Sequence, residues 1–414
     1  MKQTPEINKF TKYQVFVVAV LALMQFTVIL DFMVLAPLSA ILLPVLHITT
    51  AQFGLVVSAY AFSAGIAGLL AAGFADKYDR KKLLMFFYCG FLLGTFLCAI
   101  APDYYFLLGA RIVTGMFGGV VGSIGMAIIS DLFELEKRGR VMGFVQMGFA
   151  GSQVLGLPIG LYLANHFGWH SPFFMIAGLG AIMGVIVFIY LKPITEHLKT
   201  KLERNAFVHL FKTISRPDYL KAFAAVVLLA KGGFMMMPFG SAFSVNNIGL
   251  KLDQLPMLYM VTGIFSMGVG PLVGKFSDKI GKYNMFLLGS VVTMIMVAIY
   301  CNLSITPLWI ILIINVVLFA GIFSRIIPAS ALMTAIPDMH DRGAFMSISS
   351  SIQQISGGIA AGIAGLIVTQ MPDGKIEHYD ILGYVVMGTT TITMAMMYII
   401  NKQVAKKMHT TKPI

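Results

Sequence analysis

Twelve stretches of this chain are each apolar for about 20 residues or more, and no other feature limits its fold so strongly. They lie at about 13–43, 52–74, 82–101, 104–131, 139–163, 170–191, 218–244, 254–274, 283–302, 306–335, 342–369 and 379–401. A helix needs roughly 20 such residues to cross the hydrocarbon of a bilayer. Only 12% of the 414 residues are charged and 58% are hydrophobic, whereas soluble domains carry about 25% charged residues. So little polar surface cannot clothe a water-soluble globule. The expected fold is an all-α membrane protein of twelve transmembrane helices.

The net charge of +12 invites a nucleic-acid reading, but its distribution argues against one. With the N-terminus in the cytoplasm and the spans alternating, roughly 25 of the 30 Lys and Arg residues fall on the cytoplasmic side. Lys251 and Lys375 lie outside, and Arg111, Lys231 and Arg325 lie within spans. Positive charge in the cytoplasmic loops sets orientation, so both termini are expected in the cytoplasm, with the bilayer and not nucleic acid as the partner. Met1 to Lys12 is polar, and the apolar run behind it is too long for a signal-peptide core. We expect it to stay as the first span. Cys89, Cys98 and Cys301 lie in apolar runs, with no metal-ligand or disulfide spacing.

The longest polar interruption, Lys192 to Asp218, has six spans on each side. It divides the chain into an N-terminal six-helix bundle (1–191), a linker (192–217) and a C-terminal six-helix bundle (218–414). Leu198, Leu202, Phe207, Leu210 and Phe211 predict a short amphipathic helix in the linker, lying on the cytoplasmic surface. The halves repeat weakly. Gly73-Phe-Ala-Asp76-Lys-Tyr-Asp-Arg80-Lys-Lys82 is echoed by Gly274-Lys-Phe-Ser-Asp278-Lys-Ile-Gly-Lys282. Glu136-Lys-Arg138-Gly139 is echoed by His340-Asp-Arg342-Gly343. Two related bundles with a substrate path between them are a known transporter plan.

Charges at membrane depth are costly and usually functional. Asp31 lies about 18 residues into the first span, roughly 27 Å from its start. Arg111 lies about 7 residues into the fourth span, which runs the other way, so the two are expected at similar depth in the outer half. Burial favours a neutral carboxylic acid, and a nearby Arg favours the anion. A group balanced between these effects suits a proton carrier. Asp31 is therefore the proton-coupling candidate, with Arg111 biasing it. A static ion pair is the competing reading. Lys231 and Arg325 are candidate substrate contacts, or cross-interface partners for Asp31, and they make the cavity net positive. Anionic, zwitterionic or lipid-like substrates follow. Gln25, Tyr60, Gln153, Asn315 and Gln353 are further candidates for lining the path, though helix–helix hydrogen bonding explains many such residues. Met235 and its neighbours form a candidate adaptable apolar wall. Asp76, Arg80, Arg138, Asp278 and Arg342 are candidates for a latch between the bundles at the cytoplasmic end.

Nearly the whole chain resembles the major facilitator superfamily. Asp76, Lys77, Arg80 and Lys81 are similar to that family's loop signature, with Asp79 standing where the family has Gly; Gly274, Asp278, Lys279, Gly281 and Lys282 are the better copy. Gly109-Ala-Arg111-Ile-Val-Thr-Gly115 resembles the fourth-span motif. The fifth-span run from Gly148 through Gly156, Pro158 and Gly160, the start of the sixth span at Trp169, and Leu30-Asp31 with Pro37 resemble the twelve-span drug:proton antiporters. The resemblance implies two pseudo-symmetric six-helix bundles, alternating access, and export of small amphipathic molecules driven by the proton gradient. It also implies a bacterial inner membrane.

We expect a monomer without metal or cofactor. A uniporter or a proton symporter importing an organic anion is the nearest alternative. A non-transporting receptor is the alternative of another class. No P-loop supports ATP-driven transport. The histidines lack metal-ligand spacing, and no catalytic dyad or triad is placed for an enzyme.

Overall fold

The computed structural model describes residues 10–199, 206–338 and 341–410. The first half comprises α1 (Lys12–Val34), α2 (Ser39–Val45), α3 (Thr50–Phe74), α4 (Arg80–Ala99), α5 (Tyr104–Leu132), α6 (Leu135–Gly151), α7 (Leu157–Phe167) and α8 (Ser171–Tyr190). A linker helix, α9 (Ala206–Ile214), follows. The second half comprises α10 (Pro217–Phe234), α11 (Gly240–Asn246), α12 (Leu255–Ile280), α13 (Lys282–Cys301), α14 (Leu308–Thr334), α15 (Arg342–Ile367) and α16 (Tyr379–Thr410). A hairpin of β1 (Thr369–Gln370) and β2 (Ile376–Glu377) joins the last two helices.

Local chemistry sets many of the boundaries. Thr11 and Thr49 start α1 and α3 with reciprocal capping boxes to Gln14 and Gln52. Asp103 starts α5 by accepting the Phe106 N–H at 2.9 Å. Gly168 and Gly281, at φ of 88° and 94°, end α7 and α12 in the left-handed region that glycine adopts without strain.

Eleven long helices or helix pairs are apolar enough to cross a membrane. The remaining span is α15, whose 26 residues reach about 39 Å. It carries Ser347, Ser349, Ser350, Ser351, Gln353 and Gln354, and packing against α3 and α10 shelters much of that polar surface from lipid. Twelve transmembrane segments thus form two pseudo-symmetric six-helix bundles.

Three runs that read as continuous in sequence are broken. The first splits at Leu35–Leu38 and the seventh at Met235–Phe239. Pro37 and Pro238 have no amide hydrogen, and their rings collide with the carbonyl four residues back. The two breaks fall at equivalent places in the repeat. The fifth run, read as 139–163, starts earlier at Leu135 and contains a π turn over Ser152–Gly156. Such turns mark functional segments in many helices.

The halves meet along α3 and α15, where glycine lets the backbones touch. A Cβ on Gly54 would lie 2.8 Å from the Ala361 carbonyl oxygen and 3.1 Å from Gly365 Cα. The end opposite the chain termini, the far end, is laced across the seam. Ser58 Oγ donates to the Gly358 carbonyl at 2.7 Å, Ala242 N–H donates to Ser39 Oγ at 3.3 Å, and Asn165 Nδ2 donates to the Leu252 carbonyl at 2.8 Å. Phe53 and Phe239 pack with ring centroids 5.8 Å apart. Toward the basic end, which carries the termini, α3 and α15 stay in contact, with a Cβ on Gly65 2.9 Å from the Ser351 carbonyl, while α6 and α12 separate. A Cβ on Gly263 of α12 would sit 3.1 Å from Val154 in the π turn, yet Gly268 and Gly274 further along, and Gly143 on α6, face open space.

Candidate functional site

Asp31 sits in the last turn of α1, fully buried, just before Pro37 ends the helix. Arg111, about two turns into α5 on its buried face, donates from Nη1 to Asp31 Oδ2 at 2.7 Å and to the Asp31 carbonyl at 3.4 Å. Thr95 Oγ1 of α4 donates to the other carboxylate oxygen at 3.1 Å. The guanidinium lies 4.5 Å from the centroid of the Tyr60 ring, on α3. One carboxylate of α1 is therefore held from two other helices, α4 and α5, with an aromatic face of α3 covering its partner cation. Each charge offsets part of the other's burial cost.

The cluster extends across the seam through aromatic rings. Tyr60 packs on Phe32 at 5.2 Å, and Phe32 packs on Phe234 of α10 at 5.9 Å. Phe234 in turn caps Gly357 of α15, where a Cβ would lie 3.0 Å from its ring. Met346, Ser350, Gln353 and Gly357 share one face of α15, away from the face that meets α3. That face is exposed as far as Gln353 and closes at Phe234. Phe32 and Phe234 thus form an aromatic floor across the seam next to the ion pair, with the exposed face of α15 on its basic-end side.

The remaining candidates are scattered. Gln353 is exposed on that face of α15, and Lys231 is half-buried with no hydrogen bond or ion pair among the described residues. Arg325 is buried on α14, and it does not reach Asp31, whose carboxylate Arg111 and Thr95 already occupy. Cross-interface pairing of Lys231 or Arg325 with Asp31 is therefore absent from this arrangement. Gln25 faces Gly122 of α5, where a Cβ would meet its Oε1 at 3.4 Å. Gln153 is buried in the π turn, beside the Gly263 crossing. Asn315 spends its amide on its own helix, donating to the Ile311 carbonyl at 3.1 Å. Met235 is buried at the break between α10 and α11.

The latch candidates make contacts inside their own bundles. Arg80 pairs with Asp131 at 2.9 Å and donates to the Ala75 carbonyl at 2.9 Å. Arg138 caps the end of α5, donating to the Ser130 and Phe133 carbonyls at 2.6 and 2.9 Å. Asp278 pairs with Lys282 at 3.4 Å on the surface, and Arg342 is exposed. The Asp76 side chain lies outside the described residues. At this end α9 packs on both α3 and α15. The adjoining loop is tied by Asp341 to Arg216, and by Asp338 to Lys407 at 2.8 Å. Lys407 holds the Asp338 carboxyl below the usual carboxylate range.

Sequence reasoning missed Thr95, the π turn and the Phe32–Phe234 floor. Only the π turn had a visible signal, the Gly151-Ser152 pair ahead of Gly156 and Pro158. Among the described residues no group of His, Cys, Asp or Glu is placed to hold a metal.

The Bacillus subtilis (strain 168) protein described as an uncharacterized MFS-type transporter, YceJ, is 27% identical over 352 residues, covering 83% of this chain and 87% of that one. Multidrug resistance protein 3 of the same organism is 33% identical over 164 residues, 39% of this chain and 32% of its own. Among solved structures, a bacterial homolog of the human lysosomal transporter Spinster, inward-facing and unoccupied, superposes with a TM-score of 0.76 at 15% identity, covering 96% of this chain and 99% of that one. A point mutant of the nucleoside transporter NupG gives 0.73 at 14% identity, covering 92% and 98%. The family profile described as Major Facilitator Superfamily matches residues 21–361. With twelve spans in paired bundles and this profile match, the chain belongs to the Major Facilitator Superfamily and is a multi-pass membrane transporter, not an enzyme.

Proposed function

We propose that the protein is a proton-coupled exporter of small amphipathic organic molecules, working as a monomer in a bacterial cytoplasmic membrane with both termini in the cytoplasm. The observation that carries the proton coupling is the Asp31–Arg111 pair. It is fully buried, and aromatic rings connect it to both bundles across the seam. A proton arriving at Asp31 cancels its attraction for Arg111. The freed guanidinium then bears on Tyr60 and Phe32, which sit on the seam. Proton binding would bias the two conformations through that contact, as alternating access requires. Export is favoured by the partial likeness to Multidrug resistance protein 3. The orientation rests on the bias of Lys and Arg toward the end that carries the termini.

The test is proton flux in proteoliposomes holding wild type or Asp31→Asn, with cationic drugs, organic anions and lysolipids added in turn. Substrate-dependent proton flux in wild type, lost in the variant while downhill substrate movement persists, is the expected result. Substrate movement with no accompanying protons in wild type would sink the coupling and leave a uniporter.

A further inference from the structure

The second bundle holds a buried cation whose partner is missing. Arg325 is 5% exposed in the middle of α14, and its Nε has no hydrogen-bond partner. Among the described residues no carboxylate pairs with the guanidinium, in contrast to Arg111 in the first bundle. Thr390 of α16 is fully buried, and its Oγ1 is also unpartnered. Both side chains converge on one spot. A Cβ built on Gly232 of α10 would lie 3.5 and 4.0 Å from the two terminal nitrogens of Arg325 and 3.8 Å from Thr390 Oγ1. The position carries only hydrogen, so no side chain of α10 covers these groups there. Gly232 is itself part-exposed, so this stretch of α10 is not sealed by neighbouring side chains. Lys231, half-buried and unpaired, adds a second positive charge on the preceding residue.

An isolated buried charge is costly, and native proteins meet that cost with a partner. A guanidinium offers a planar fork suited to carboxylate, phosphate or sulfonate oxygens. A threonine hydroxyl supplies one further donor. We propose that Arg325 and Thr390, uncovered by Gly232, form a binding subsite for the compact anionic group of the transported molecule. The proposal rests on the transporter reading above and narrows its substrates to organic anions or anionic lipids. It also gives the two bundles different tasks. The first bundle neutralises its own cation with Asp31, and the second leaves its cation for the cargo.

Calorimetric titration of purified full-length protein, without any gradient, tests this. The probes are benzoate, phenyl phosphate, lysophosphatidate and inorganic phosphate, with benzylammonium and benzamide as matched controls. Wild type should bind the organic anions saturably and the controls far more weakly. Arg325→Gln should weaken anion binding about ten- to hundredfold, the range for a hydrogen-bonded charge. Thr390→Val changes little volume and removes a hydroxyl with no partner, so it should fold as well as wild type and still bind about fivefold more weakly. Phenyl phosphate displaced by lysophosphatidate but not by benzoate would assign the site to a lipid headgroup, and the reverse to a soluble anion. Equal binding of anions and controls, or anion affinity unchanged in both variants, would overturn the site. Anion binding through Arg325 in a protein that moves no protons would defeat the coupling but leave the site standing. Proton-coupled flux with unaltered anion affinity in Arg325→Gln would do the opposite.

Discussion

Arg111 and Arg325 are the same residue type at membrane depth, yet their surroundings give them opposite tasks. Arg111 has Asp31 at 2.7 Å and the Tyr60 ring at 4.5 Å, so its charge is met from within the protein. Removing one member of a buried pair strands the other, which typically costs about 3–5 kcal/mol, whereas removing both is often tolerated. Arg111→Met alone should therefore lower thermal stability more than the double variant Asp31→Asn/Arg111→Met. The measurement is a melting series of the four proteins of the cycle, which reads the coupling directly. A double variant no more stable than Arg111→Met would mean that the guanidinium acts by packing on Tyr60 and not by pairing. That Asp31 and Arg111 should meet was legible from counting residues into two antiparallel spans. Thr95 was not, because its role depends on where α4 crosses α1. Arg325 stood out as a charge in an apolar run, but its relation to Thr390, 65 positions later, exists only in the packed bundle.

At the scale of helices, the seam between α3 and α15 depends on small residues. A Cβ on Gly54 would press backbone atoms of both Ala361 and Gly365, which cannot swing aside as a side chain can. Overpacking of this kind typically costs about 1–3 kcal/mol. Gly54→Val should accordingly loosen the far end and raise the population open there by about five- to hundredfold. Spin labels at Val45 and Leu252, exposed sites on opposite halves of that end, would report it as a longer distance in the variant. An unchanged distance with a lower melting temperature would confine Gly54 to packing. The twelve spans and the amphipathic α9 were readable from composition and period, because each depends on its own residues. Leu202 of the predicted stripe lies outside the described residues, and within α9 the stripe divides, with Leu210 buried and Phe211 exposed, since packing on α3 and α15 selects only one side. The breaks at Pro37 and Pro238 had a visible cause but were submerged in long apolar runs. The hairpin after α15 was missed as well. Its Asp373-Gly374 turn is a known signal, but the pairing is fixed by Asn247, whose amide both donates to and accepts from the Ile376 backbone at 2.9 Å.

For the whole molecule, the asymmetry between the two ends is the functional fact. Hydrogen bonds donated by Ser58 and Asn165, and one accepted by Ser39 from the Ala242 N–H, close the far end, while α6 and α12 part beyond the Gly263 crossing. A transporter closed at one end and open at the other is one state of an alternating cycle. Gln353 lies on the open side of the Phe32–Phe234 floor, and Ser241, buried and bonded to Tyr259 at 2.9 Å, lies on the closed side. In a background without Cys89, Cys98 and Cys301, single Gln353→Cys and Ser241→Cys variants should differ sharply toward a membrane-impermeant maleimide. The Gln353→Cys protein should react quickly in vesicles that present the basic end to the reagent, and hardly at all in vesicles of the opposite orientation. The Ser241→Cys protein should resist the reagent from both sides until the far end opens. If the proposed coupling is right, adding substrate and imposing a proton gradient should slow the first reaction and speed the second together, because one motion closes one end as it opens the other. Independent changes at the two sites would mean that the bundles do not rock as units, and the coupling between Asp31 and the aromatic floor would then need a different carrier.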